Sequence, residues 1–216
     1  MELMNQPPAR RRMTPDDRRE EIVRAARRLF ARSAYSAVSV AEIAKAAGAS
    51  ASLVIFYFGS KHALYLEVLG VSVDELRAGL LGPPGPPSMD RLRAILEWYA
   101  AWAHDNRDGF LSLLRGEHEV VAPEAADLFE GLRADVTART IADLIELGWS
   151  AIEGDPVVEL GIRGYLGYVD TTIIRWLSLP PAEAAAIDGP TIADLGIGAF
   201  SGCLAALAAR PRPTSA

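Results

Sequence analysis

Residues 39–58 read SVAEIAKAAGASASLVIFYF, and this stretch decides the fold class. Val40, Ile43, Ala44 and Ala47 recur at helical spacing, which predicts a short helix with one apolar face. Ser39 stands just before that run and Glu42 three residues on, the pattern of a capping box. Gly48 supplies the left-handed backbone that ends the helix. Only Ala49 separates it from Ser50, a second N-cap, and the helix that follows carries Val54 and Phe58 four apart on one inward face. Helix, glycine-containing turn and helix is the plan of a helix-turn-helix, whose second helix enters the DNA major groove. A plain helical hairpin has the same periodicity, so this pattern alone leaves both readings open.

The residues that follow separate the two. The aromatic run Phe56-Tyr57-Phe58 leads into GSKHALYL at 59–66, and residues 39–66 resemble the DNA-binding signature of the TetR family of one-component transcriptional regulators. Ala44, Gly48 and Ser50 stand where that family carries alanine, glycine and serine; an aromatic cluster closes its third helix, and a lysine, here Lys61, opens its fourth. The resemblance is specific over roughly residues 14–70 and beyond them rests on length and helix pattern. It implies an all-α fold of about nine helices. A basic arm would cover 1–13, a three-helix DNA-binding domain 14–60, a connecting helix 61–81, and a ligand-binding and dimerisation domain 82–216.

Charge is divided along the same line. The net charge is −6, but residues 1–65 hold 11 Lys and Arg against 6 Asp and Glu, while 66–216 hold 11 against 22. A basic end suits phosphates and an acidic body limits non-specific adhesion. No apolar run is read as long enough to span a membrane, and residues 1–12 show no signal-peptide pattern. The single cysteine, Cys203, fits a reducing cytoplasm and reads as a small buried hydrophobe.

Along the chain, Thr14-Pro15-Asp16-Asp17 predicts a helix start, with Ile22, Val23, Ala26, Leu29 and Phe30 as its apolar stripe. Arg10, Arg11 and Arg12 precede it and read either as a groove-reaching arm or as a solvated tail. Ser60 caps a helix to about Leu81, and LGPPGPPS at 81–88 breaks it. Further helices are predicted at about 89–105, 108–115, from Pro123 to about Leu147, from Pro156 to about Leu177, and from about Thr191 to Ala209.

The second helix of the motif offers Ser50, Ala51, Ser52 and Leu53 in its first turn, the part that meets base edges. With Val54 inward, Ser52 and Phe56 point outward. Serine hydroxyls discriminate bases poorly, whereas Ala51 and Leu53 suit thymine methyls. The resemblance places Tyr57 and Lys61 on phosphates, and Ser39, at a helix N-terminus, can add a hydroxyl or amide. This helix departs from the common family pattern at Ala51, Ile55 and Phe56, where a polar or basic residue, a tyrosine, and a histidine or second aromatic are usual. No Arg, Lys, Asn or Gln lies between Ser50 and Tyr57, so DNA shape and the arginine arm would carry more of the specificity.

The resemblance also implies a small-molecule pocket within residues 89–177. Trp98, Tyr99, Trp102, Phe110, Phe129, Trp149, Tyr165 and Tyr168 could line it, with Arg115, His118, Asp170 and Arg175 as polar contacts; each aromatic also reads as ordinary core. Leu160, Gly164, Gly167, Thr171 and Ile174 share one helical stripe, and Leu195, Ala199, Gly202 and Ala206 another. Glycine costs helix stability, so its recurrence points to close backbone approach, either within a subunit or across the four-helix dimer interface of the family. His104-Asp105 and Glu117-His118-Glu119 match no metal-ligand spacing, and no catalytic motif is present, so no metal, cofactor or enzymatic activity is expected. The expectation is a cytoplasmic homodimeric regulator of double-stranded DNA, a repressor released from a palindromic operator by a small apolar or aromatic effector. The alternative is a small-molecule binding or sequestering protein with a degenerate helix-turn-helix.

Overall fold

The computed structural model describes residues 14–114, 122–149 and 152–210. Among these residues every regular element is helical. The helices are α1 (Pro15–Phe30), α2 (Val40–Ala46), α3 (Ala51–Phe58), α4 (Lys61–Leu81), α5 (Met89–Asp105), α6 (Arg107–Leu114), α7 (Ala126–Glu146), α8 (Pro156–Leu177) and α9 (Gly189–Ala208). Single 3-10 turns at Tyr35–Ala37 and Pro123–Ala125 and a four-residue helical turn at Pro181–Ala184, none of them anticipated, complete the set. Arg10–Arg12, Arg115 and Glu117-His118-Glu119 lie outside the described residues.

Local chemistry sets the helix ends. Thr14 and Asp17 exchange backbone-to-side-chain hydrogen bonds at the start of α1, and Ser39 and Glu42 do the same for α2. Ser50, Ser60 and Ser88 each accept the amide of the residue three positions on. Asp155 and Asp188 cap α8 and α9, and α9 starts two residues upstream of the expected Thr191 because Gly189 and Pro190 are themselves helical. Gly48, at φ 60°, ends α2 in the left-handed region that a side chain would strain.

Two cores result. In the first, Ile22, Ala26, Phe30, Ile43, Val54 and Leu64 close a bundle of α1–α3 with the N-terminal half of α4. Ala122 and Ala125 belong to this core although they stand far along the chain. The second core gathers α5 through α9 around the far half of α4, with Leu96, Tyr99, Ile162, Ile173 and Phe200 inside. At 21 residues α4 is about 32 Å long, and it threads both: Leu64, Val68 and Leu69 in one, Val73 and Leu76 in the other. Phe129 of α7 packs against both.

One sequence expectation is corrected. By length and composition α9 is apolar enough to cross a membrane, contrary to the reading that no run is. The small residues of GAFSGCLAALA raise its apolar character without filling much core. Ile192, Ala193, Gly196 and Phe200 face inward, and most of the remaining surface is exposed.

Candidate functional site

The outer face of α3 is free of the rest of the molecule. Val54 and Phe58 are buried, as their spacing predicts, and hold the helix against α1, α2 and α4. Ala51, Ser52, Ile55 and Phe56 are exposed, Phe56 at 80%, while Leu53 and Tyr57 are half-buried. Ser50 and Ser52 share a hydrogen bond of 3.0 Å between hydroxyls, and Ser39 at the start of α2 is exposed. Nothing inside the chain explains an aromatic ring left in water at Phe56.

Cationic side chains brace this face from behind. Arg18 donates to the carbonyls of Ala47 and Gly48 at the end of α2, 3.2 and 3.4 Å away. Arg19 lies over the Phe58 ring and pairs with Glu67 of α4. Lys61, expected at phosphates, donates to the Tyr35 carbonyl and sits 3.9 Å from the Tyr35 ring centroid. Burial lowers its pKa, partly offset by Glu42.

The second feature is a cavity of about 590 Å³ walled by α4, α5, α6, α7, α8 and Phe200 of α9. Leu80, Leu92, Ile95, Val136, Leu144 and Val169 make its apolar surface. Exposed Met89 and Leu147 also line it, so it opens to solvent between the start of α5 and the end of α7. At that end Arg91 donates to Asp143 at 2.7 Å and to the carbonyls of Leu81 and Pro83, while Arg139 Nε lies 2.9 Å from the other Asp143 oxygen without hydrogen-bond alignment. Elsewhere in the wall Asp170 accepts from Tyr99 at 2.8 Å and from Arg133 at 2.6 Å. Burial and the Asp170 charge raise the Tyr99 pKa well above its ordinary value. Tyr165 is 7% exposed and its hydroxyl has no hydrogen-bond partner among the described residues; burial likewise raises its pKa, so it stays neutral.

Of the aromatics predicted to line a pocket, the structure brings Tyr99, Phe110, Phe129 and Tyr165 into this wall, together with Asp170. Trp98, Trp102, Trp149 and Tyr168 lie outside it. Trp98 is turned one position from Tyr99 and fills the space beside Gly79 of α4. Trp102 donates from Nε1 to Glu75 at 2.9 Å, and Glu75 also pairs with Arg27 of α1. Trp149 packs on the rim of the core, and Tyr168 and Arg175 are exposed. The cations Arg91, Arg133 and Arg139 were missed. Their signal was present: Arg133, Arg139 and Asp143 interrupt the apolar face that Phe129, Leu132, Val136 and Leu144 draw along α7.

A narrow crevice of about 50 Å³ lies between α1 and α6, and Leu76, Phe110 and Phe129 line both it and the cavity. Next to Phe110, the Gly109 amide donates to Ala31 at the end of α1. The wall of the cavity is thus one residue deep against the helix-turn-helix bundle.

The glycines of α8 and α9 divide into two groups. Gly161 and Gly196 face neighbours in the same subunit, Cys203 with Leu207 and Leu96 respectively. Gly164, Gly167, Gly189, Gly198 and Gly202 face open space, on helices that also expose Leu160 at 70%, Tyr168 and Leu195. Packing within the subunit therefore accounts for the first group and not for the second.

Residues 22–68 match the family model described as bacterial regulatory proteins, tetR family. Among curated proteins, the HTH-type transcriptional regulator BetI of Vibrio atlanticus is 27% identical over 159 residues, covering 62% of this chain and 80% of that one. The HTH-type transcriptional activator FasR of Mycolicibacterium smegmatis is 31% identical over 117 residues, 53% of each chain. A solved tetR-family transcriptional regulator from Streptomyces coelicolor superposes with a TM-score of 0.74 at 25% identity, over 90% of this chain and 85% of its own. The signature falls on the second half of α1 and on α2, α3 and the first part of α4, and the fold is shared through nine-tenths of the length: the chain carries the DNA-binding domain of the TetR family within the fold of a TetR-family transcriptional regulator.

Proposed function

We propose that the protein is a homodimeric repressor of the cytoplasm that a small, largely apolar effector releases from a palindromic operator. The first turn and outer face of α3, Ser50, Ala51, Ser52, Leu53 and Phe56, meet base edges, with Ala51, Leu53 and Phe56 suited to thymine methyls. Ser39, Tyr57 and Lys61 meet the flanking phosphates. An ammonium has three donors, and the one that Lys61 gives to Tyr35 leaves two for a phosphate while fixing where they point. Exposed Leu160, Tyr168 and Leu195, with the open glycines between them, suit a two-fold interface of α8 and α9 against the same helices of a second copy. The cavity is of the size that small-molecule sites have, and Phe110, Phe129 and Tyr165 contribute to its apolar wall. Trp98, Trp102, Trp149 and Tyr168 lie outside that wall, so the effector site assigned here leaves them out.

The observation that carries this reading is α4. It begins at Lys61 beside the recognition helix and ends at Leu76, Leu80 and Leu81 in the cavity wall, so one rod touches both sites. An effector that prefers one placement of α4 biases the spacing of the paired recognition helices, and tenfold release requires a coupling of about 1.4 kcal/mol. The test is a mobility-shift assay with the DNA upstream of the protein's own gene, across a salt series. Phe56→Ala should lower operator affinity at least about tenfold with little loss of stability, because the ring is 80% exposed and among the described residues its ring contact is the edge-on neighbour Tyr57. Binding of effector without any operator binding would favour the sequestering role instead.

A further inference from the structure

We infer that the effector is an apolar monoanion, an organic acid whose carboxylate meets Arg139 at the open end of the cavity. The inference rests on reading the cavity as the effector site. Six charged side chains stand in its wall, and most are spoken for. Arg133 pairs with Asp170, and Glu130, nine residues before Arg139 on α7, shares Arg163 with Glu159 outside the wall. Arg91 is consumed by Asp143 and by two carbonyls that end α4 and begin the following loop. Arg139 shares that same Asp143 through Nε alone, and its two terminal nitrogens have no acceptor among the described residues. Two guanidinium groups therefore stand against one carboxylate, leaving a single positive charge over.

The start of α5 adds to that imbalance. Ser88 and Met89 line the same end of the cavity, and the N-terminal end of a 17-residue helix carries partial positive charge, which Asp90 in the first turn partly offsets. A carboxylate there would take charge-assisted hydrogen bonds from the Arg139 terminal nitrogens. A neutral polar group gains less, and an ammonium is repelled. Behind this end, Leu92, Ile95, Val136 and Val169 offer only apolar surface. From Arg91 to Tyr99 the α5 wall runs about 12 Å, which sets the length available to the acid's apolar body. One surplus charge at one end of an apolar chamber selects a monoanion over a dianion, a cation or a neutral hydrocarbon.

Two matched probe pairs separate charge from shape: decanoate against 1-decanol, and 1-naphthaleneacetate against 2-(1-naphthyl)ethanol, with decylamine as the cationic control. Binding to the intact chain without DNA is read by titration calorimetry. In at least one pair the acid should bind at least about tenfold tighter than its alcohol, and decylamine weakest of its series. Arg139→Gln should bring acid and alcohol to within about threefold, chiefly by weakening the acid, and an alcohol that still binds shows the cavity intact; Arg139→Lys should keep most of the preference. Equal binding of acid and alcohol in both pairs, no binding of either acid, or a preference that survives Arg139→Gln would overturn the inference. Acids that bind at Arg139 yet leave operator affinity unchanged would sink the repressor reading and leave this one standing.

Discussion

The helix-turn-helix bundle and the body behind it obey the same packing rules and end in opposite states. In the bundle Ile22, Ile43, Val54 and Leu64 have no exposed surface, and each of α1 to α4 starts on a hydroxyl cap. In the body, helices of similar composition enclose about 590 Å³ of space and a tyrosine hydroxyl without a partner. Interiors normally close to crystal-like density, and a void forfeits the dispersion energy of its lining. A surface that must present α3 at a fixed angle gains from being filled. A chamber left open lowers the body's stability, and under the proposed function a bound effector would restore it.

The same truncation in the two regions tests this contrast most strongly. Leu64→Ala opens a new hole in a filled core and should cost about 3–5 kcal/mol by denaturant unfolding. Leu132→Ala only widens an existing chamber and should cost nearer 2 kcal/mol. Equal costs would mean that the void is not what distinguishes the regions. At the seam, Gly109→Ala would place a methyl 2.9 Å from the Phe30 carbonyl oxygen and 3.2 Å from the Ala31 Cα. Backbone on that side cannot rotate away, so a loss of about 1–3 kcal/mol is expected, with operator affinity shifted although no DNA contact is touched.

Smaller effects sharpen the picture. Ser39→Ala removes the α2 cap and should cost about 1 kcal/mol. Hydrogen bonds from Ser39 lower the Glu42 pKa, and those from Thr14 lower that of Asp17. As pH falls the unfolded chain takes up these protons first, so the caps contribute fully at neutral pH. Their contribution is lost as pH drops below about 4.5 and through the lowered folded values. Circular dichroism should show flat stability from about pH 8 to 6 and acid loss that Ser39→Ala reduces. Tyr165→Phe has the opposite sign: removing an unpartnered buried hydroxyl should leave stability unchanged or raise it by up to about 1 kcal/mol.

What was legible in the sequence follows the range of the interaction. Caps act within three residues, so Thr14, Ser39, Ser50, Ser60 and Asp155 announce their helices, and the buried face of α3 follows from Val54 and Phe58. The cavity wall is set by contacts up to about 100 residues apart. Trp98 and Tyr99 are neighbours in sequence, yet a 100° turn of helix puts one over Gly79 and the other on Asp170. Aromatic content pointed to the body, where Tyr99, Phe110, Phe129 and Tyr165 lie in the cavity wall and Trp98, Trp102, Trp149 and Tyr168 outside it, because rings fill cores as readily as they line chambers. The guanidinium groups carry more information there, since a cation on an apolar face requires an anion from somewhere.

Ala122, Ala125 and Phe129 complete the N-terminal core from a point more than forty residues past the end of α4. The border between the DNA-binding bundle and the body behind it is therefore not a point along the chain. An N-terminal fragment cut after Leu81 would leave apolar surface on α4 that the rest of the molecule normally covers. Exchange of sensory domains between such proteins, by recombination or by design, would transplant part of the DNA-binding core along with the chamber. A chimera joined within residues 82–88 should present α3 faithfully only where the incoming segment brings small residues and an aromatic to those three places.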